Sequence, residues 1–168
     1  METAMESIMS TFANGNFLAY LGAAFAVLFS GIGSARGCGL VGEAGSGVIA
    51  EDPDKFGQIL VLEALPGTQG IYGFLIGFII MMNTGLLSGN PITLSTVQGA
   101  WIFASSLPVA FVGLISAPAQ ARAAAGGVAV IAKRPDQLSK AMVLAAMVET
   151  YAILSFLVSM LMVFNMPI

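Results

Sequence analysis

Six residues carry the chemistry this sequence can do. Leu65, Thr68, Gln69 and Tyr72 stand at i, i+3, i+4 and i+7, which sets them on one face of a helix. That face offers a hydroxyl, an amide oxygen and a phenol. Gln120 adds a second amide from a later stretch. Glu149 sits near the middle of an apolar run from about residue 141 to 164. A carboxylate at membrane depth costs ~2.5–3.5 kcal/mol on insertion scales, so it normally faces a partner or a water path and reads as functional. The bland alternative is a protonated glutamate packed among helices, with the hydroxyl and amides as interhelical glue. Pro66 lacks an N–H, which frees the Leu62 carbonyl one turn back and loosens the ladder at this point.

Neutral oxygens around a single carboxylate suit a hard cation. One negative charge fits a monovalent ion better than a divalent one. A proton would need only the carboxylate, so the extra oxygens favour sodium. Glu63 is the second acid inside an apolar stretch, offset from the Leu65/Thr68/Gln69/Tyr72 face. It reads as a near-interface acid facing water or a neighbouring subunit, with ion entry as the alternative.

The elements that must position these groups are membrane helices. The chain has 168 residues, 57% hydrophobic and only 9% charged. Globular domains carry about a quarter charged residues. Mean hydropathy is +0.91. A span takes roughly 20 apolar residues, so the length holds four spans and no soluble catalytic domain. The apolar segments are long and continuous, which excludes alternating barrel strands. The reading is an all-α membrane protein with helices over about 16–49, 56–82, 95–132 and 137–165. The organisation is a polar lead (1–14), a first helical hairpin (15–84), an extracytoplasmic loop (85–97) and a second hairpin (98–168). There is no histidine, and the one cysteine, Cys38, lies in a Gly/Ala-rich helix as packing. No transition-metal site, phosphate-binding loop or nucleic-acid partner is expected. Residues 1–16 hold Glu2 and Glu6 but no Lys or Arg, so the first span reads as retained rather than as a cleaved leader.

All six basic residues fall in two windows: Arg36 and Lys55 around the first turn, and Arg122, Lys133, Arg134 and Lys140 around the third. The positive-inside rule makes those turns cytoplasmic and both termini extracytoplasmic. The first and third helices are rich in small residues, Gly33 and Gly37 being four apart, a spacing that lets membrane helices approach closely. The chain also repeats itself. A gapless shift of 82 residues sets Pro53-Asp54 on Pro135-Asp136, Ser34-Ala35 on Ser116-Ala117, Thr68 on Thr150 and Phe74-Leu75 on Phe156-Leu157. A duplicated hairpin explains this. The same shift sets Gly67 opposite Glu149, so the four helices carry one carboxylate where a symmetric chain would carry two.

The run Leu65-Pro66-Gly67-Thr68-Gln69-Gly70-Ile71-Tyr72-Gly73, the Gln120 segment, Met147-Val148-Glu149-Thr150-Tyr151-Ala152-Ile153-Leu154 and Gly31-Ile32-Gly33-Ser34-Ala35 together resemble the duplicated proteolipid of prokaryotic V-type ATPases, nearest the sodium-translocating kind. The resemblance covers nearly the whole chain. It implies a rotor ring of identical four-helix subunits in the lipid, with the first and third helices as its inner wall. It implies sodium held by the Leu65 main-chain carbonyl and the side chains of Thr68, Gln69, Gln120 and Glu149, with Tyr72 steadying the carboxylate. It further implies a stator membrane subunit bearing a fixed cation, and a central stalk docked on the turns around Pro53 and Pro135. The chain itself would be non-catalytic within an ATP-driven complex. A proton-coupled ring of the same family, a stand-alone secondary transporter and a structural scaffold are the competing readings.

Overall fold

The computed structural model describes residues 3–166. Over that range the chain forms α1 (Ala4–Phe12), α2 (Gly15–Glu51), α3 (Phe56–Ala64), α4 (Thr68–Asn83), α5 (Thr96–Lys133) and α6 (Leu138–Phe164). Single 3₁₀ turns occupy Pro53–Lys55, Leu65–Gly67 and Pro135–Gln137. Four segments are long and apolar enough to cross a membrane: α2, α3 with α4, α5, and α6 with its leading turn. They make two helical hairpins in tandem. One end of the bundle carries the two short proline turns and the other carries the 84–95 loop.

The sequence supplies the caps at both ends. Asn14 accepts the Phe17 N–H at 3.1 Å. Ser95 and Gln98 exchange hydrogen bonds of 3.3 and 3.0 Å at the start of α5, a reciprocal cap that satisfies two otherwise orphaned groups. At the loop end, Gly85 and Gly89 take φ of +73° and +71°, which only glycine does freely. Asn16 then fastens that loop to α2, donating to the Ile92 carbonyl at 2.6 Å and accepting from the Leu94 N–H at 2.9 Å. At the turn end, Lys55 pairs with Asp52 at 3.1 Å and donates to the Ala132 carbonyl at 2.7 Å. That second bond ties the first turn to the end of α5.

Two elements differ from the sequence reading. The polar lead contains a helix, α1, closed by a capping box in which the Glu6 N–H donates to Thr3 and the Thr3 N–H donates to Glu6. Its apolar residues Met5, Ile8, Met9 and Phe12 share one exposed face. The span expected as one helix over 56–82 is two helices joined at Leu65–Gly67, because Pro66 cannot continue the ladder. The Gly70 N–H just beyond the break donates to Ser34 Oγ of α2 at 2.7 Å.

Packing rests on small residues. A Cβ on Gly33 would collide with the Gly113 carbonyl oxygen, and one on Gly22 would lie 2.9 Å from Phe103 Cα. Helices α2 and α5 therefore meet backbone to backbone, the device membrane helices use where lipid removes any hydrophobic drive between them. Helix α4 meets α2 in the same way, since a Cβ on Gly77 would reach the Ala23 carbonyl at 3.0 Å. Two apolar clusters fill the interior. One, toward the loop end, centres on Ala19, Ile76, Ile80, Ile102 and Val109. The other, toward the turn end, centres on Val41, Ile59, Leu62, Ala124 and Ile131. The polar layer lies between them.

Candidate cation-binding site

Glu149 projects from α6 toward the break between α3 and α4. Its Oε1 accepts from Thr68 Oγ1 at 2.7 Å and from the Tyr72 hydroxyl at 2.6 Å. Its Oε2 accepts from Gln120 Nε2 of α5 at 2.7 Å. Gln120 Oε1 in turn accepts from Gln69 Nε2 at 2.5 Å. Both glutamines are fully buried. Tyr72 is steadied by Phe156, with ring centroids 5.3 Å apart.

The crowding of oxygens has a local cause. The 3₁₀ turn at Leu65–Gly67 turns the Leu65 carbonyl toward Thr68, whose hydroxyl lies 2.9 Å from it. Gln69 Oε1 lies 3.4 Å from the same hydroxyl. One O–H thus faces three acceptors, on Leu65, Gln69 and Glu149, with a single proton to give. Among the described residues the two ion pairs are Lys55–Asp52 and Arg134–Asp136, both at the turn end, so no side-chain cation pairs with Glu149. The carboxylate is held by hydrogen bonds alone, an arrangement that leaves a charge for a bound cation or proton to cancel.

The structure thus brings Leu65, Thr68, Gln69, Tyr72, Gln120 and Glu149 together from the Leu65–Gly67 turn, α4, α5 and α6. Gln120 links two of the others: its oxygen accepts from Gln69 and its amide nitrogen donates to Glu149. Glu63 stays outside the cluster. It is half-buried, with its carboxyl against α2 where a Cβ on Gly42 would meet Oε1 at 2.9 Å. Two supports escaped the residue-by-residue reading, namely Ser34 beneath the helix break and Phe156 beneath Tyr72. Both stand at repeat-matched positions, opposite Ser116 and Phe74, and that was the available signal.

The duplicated architecture recurs in known proteins. The family of the ATP synthase C subunit matches twice, over residues 21–80 and 103–162, two copies offset by the same 82 residues. The chain is 47% identical over 161 residues to the V-type sodium ATPase subunit K of Enterococcus hirae, covering 96% of this chain and 99% of that one. It is 39% identical over 145 residues to the A-type ATP synthase subunit K of Methanocaldococcus jannaschii, covering 86% of this chain and 61% of that one. With two copies of the family's helical unit and a relative matched almost end to end, this chain belongs to the family of the ATP synthase C subunit, as a duplicated, four-helix proteolipid.

Proposed function

We propose that this chain is the ion-carrying member of a rotor ring in the membrane sector of a V-type ATPase, and that it carries sodium on Glu149. The observation behind this reading is the one hydroxyl of Thr68 facing three oxygen acceptors beside a carboxylate with no cationic partner. A sodium ion at that point would take the lone pairs of Leu65, Thr68, Gln69 and Glu149 and cancel the charge. The likeness to a sodium ATPase subunit of Enterococcus hirae supports the same ion.

Loading leaves the bond between the two amides in place. Gln69 Oε1 already faces that point while its nitrogen donates to Gln120, and Gln120 Oε1 keeps a second lone pair for the ion. Sodium binding and the Gln69–Gln120 bond are therefore compatible. Tyr72 keeps Glu149 turned inward during rotation through lipid. At the stator, a fixed cation draws the carboxylate away from Tyr72 and Thr68, and the ion leaves. A sodium ion and a proton would each cancel the same single charge on Glu149, so the two ions compete.

In this reading the turns at Pro53 and Pro135 face the cytoplasm and dock the central stalk, and both termini lie outside, following the basic residues. In this reading the chain itself does not hydrolyse ATP. Gly31-Ile32-Gly33 is helix packing, with Gly33 against the Gly113 carbonyl. One carboxylate per four helices lowers the ions moved per turn, which suits pumping against a steep gradient.

The test is labelling by a hydrophobic carbodiimide, which attacks a protonated carboxyl, in purified membranes across pH. Saturable protection by sodium, abolished in Glu149→Gln, is the expected result. Labelling that follows pH alone and ignores sodium would transfer the role to protons and leave Thr68, Gln69 and Gln120 as packing.

A further inference from the structure

Charge is spread unevenly along the bundle. Residues 15–35 of α2, residues 64–83 of the broken helix and residues 96–121 of α5 hold no Asp, Glu, Lys or Arg. At 1.5 Å per residue the first two runs are roughly 32 and 30 Å long, which is about one hydrocarbon thickness. All three runs reach the loop end, at Gly15, Asn83 and Thr96. Gly15 lies against Leu94, Ser95 and Gly99, so α2 and α5 start at one height. Toward the turns the runs stop at Arg36, Glu63 and Arg122. The excess length of α2 and α5 therefore projects at the turn end, and the edge of the hydrocarbon lies level with Gly15.

Helix α1 stands at that edge, ending just before α2 begins. It is tied in place. The Ala13 and Asn14 N–H groups donate to the Met9 and Thr11 carbonyls at 2.9 and 3.1 Å, and the Thr96 hydroxyl donates to the Ala13 carbonyl. Phe12 meets Phe17 of α2 edge to face, with ring centroids 5.4 Å apart. Met5, Ile8, Met9 and Phe12 are each more than half exposed, so the chain itself does not cover them. At 3.6 residues per turn they fall within an arc of roughly 100°. Glu6, Ser7, Ser10 and Thr11 take the opposite side, where the Ser10 and Thr11 hydroxyls turn back to the Ser7 carbonyl at 2.9 and 3.0 Å.

The repeat supplies a second observation. Shifted by 82 residues, 4–12 fall on 86–94, the loop between the hairpins. That loop is uncharged as well, and Leu86, Leu87 and Ile92 are exposed on it. Pro91 and the positive φ of Gly85 and Gly89 keep it from forming a helix. Each hairpin is thus led in by an apolar segment at the same height. Among the described residues at this end, Glu6 is the only charged side chain, whereas the turn end carries Glu51, Asp52, Asp54, Lys55, Lys133 and Arg134.

We infer that α1 is an in-plane membrane anchor, its Met5, Ile8, Met9 and Phe12 face seated in lipid at the acyl–headgroup boundary of the leaflet at the loop end. Glu6, Ser7, Ser10 and Thr11 then face the headgroups and water. Amphipathic helices of this kind bury their apolar face about 5–10 Å into that boundary. The occupant is lipid because the face stands level with the hydrocarbon edge, beside a loop that exposes apolar side chains at the same height. With one Glu and no Lys or Arg, α1 gains nothing from anionic headgroups, so zwitterionic lipid is sufficient. The anchor fixes the height of the bundle. Moving the spans along the bilayer normal would pull that face into water or push Glu6 into acyl chains. The inference is independent of the ring and of the ion on Glu149.

The experiment is spin-label accessibility on the full chain in phosphatidylcholine vesicles, with single cysteines placed on a Cys38→Ala background. Labels at Met5→Cys, Ile8→Cys and Met9→Cys should be relaxed several-fold more by oxygen, which concentrates among acyl chains, than by a water-soluble nickel chelate. Ser7→Cys and Ser10→Cys should show the reverse. Adding phosphatidylglycerol should leave the pattern unchanged. Nickel access at all five positions overturns the anchor and leaves α1 in water. Shielding of Met5, Ile8 and Met9 from both reagents overturns it in favour of a protein partner or a second copy. A pattern that appears only with phosphatidylglycerol overturns the assignment to zwitterionic lipid. Because the readout is depth at α1, no outcome bears on the sodium reading of Glu149.

Discussion

The two hairpins share a length, a turn and a packing scheme, yet one is broken where the other is charged. In the first, Pro66 interrupts the outer helix and Gly67 leaves an empty position above Cys38. In the second, α6 runs without interruption from Leu138 to Phe164 and carries Glu149 at the matching place. The difference is complementary. The broken helix offers backbone and side-chain oxygens, and the continuous helix offers the charge. Neither hairpin could make the site alone, because Thr68 and Tyr72 reach Glu149 only across the bundle.

The most damaging way to break this comparison is to move the charge. Glu149→Gly combined with Gly67→Glu keeps composition and puts the carboxylate on the broken helix. All sodium-protected carbodiimide labelling should vanish, since the neighbour of that position is Cys38, which supplies no amide there. Surviving protection would mean that the oxygens matter less than the carboxylate. Removing the hydroxyl at the centre comes next. Thr68→Val keeps the shape, and hydrogen bonds to charged groups are worth about 1.5–3 kcal/mol, so sodium affinity should fall roughly 10- to 100-fold in a protection titration. Tyr72→Phe touches only the steadying bond. It should weaken protection by about 10-fold or less and raise labelling at a given pH, as the carboxyl turns outward more often. The smallest effect belongs to Ser34→Ala, which strands the Gly70 N–H beneath the break and should cost about 1 kcal/mol, read as a small fall in thermal stability with site affinity nearly intact.

Much of this was legible in the chain. The four spans follow from continuous apolar length, and the repeat from a gapless 82-residue match that the two family matches reproduce. The one-face spacing of Leu65, Thr68, Gln69 and Tyr72 survives the helix break, since a single 3₁₀ turn shifts the face little. Other features resisted. The direction of the Gln69–Gln120–Glu149 hydrogen bonds depends on which amide edge each neighbour selects, and no residue spacing encodes that. The α1 helix was readable from Thr3 and Glu6 as a capping box, but its short length hid it among polar neighbours. Ser34 was visible as a repeated serine. Its task was not, because that task exists only where Pro66 has displaced the ladder.

The glycine contact between α2 and α5 has a mechanical side. Where Gly33 meets the Gly113 carbonyl and Gly22 meets Phe103 Cα, no flexible side chain lies between the helices. Such a joint has little compliance, since close-packed interiors resist compression and there are no long rotamers to yield. The Lys55 bond to the Ala132 carbonyl clamps the same two helices' hairpins together at the turn end. A twisting load applied at those turns would therefore travel along α2 and α5 as through a braced shaft, reaching the level of Gln120 with little of it lost to bending.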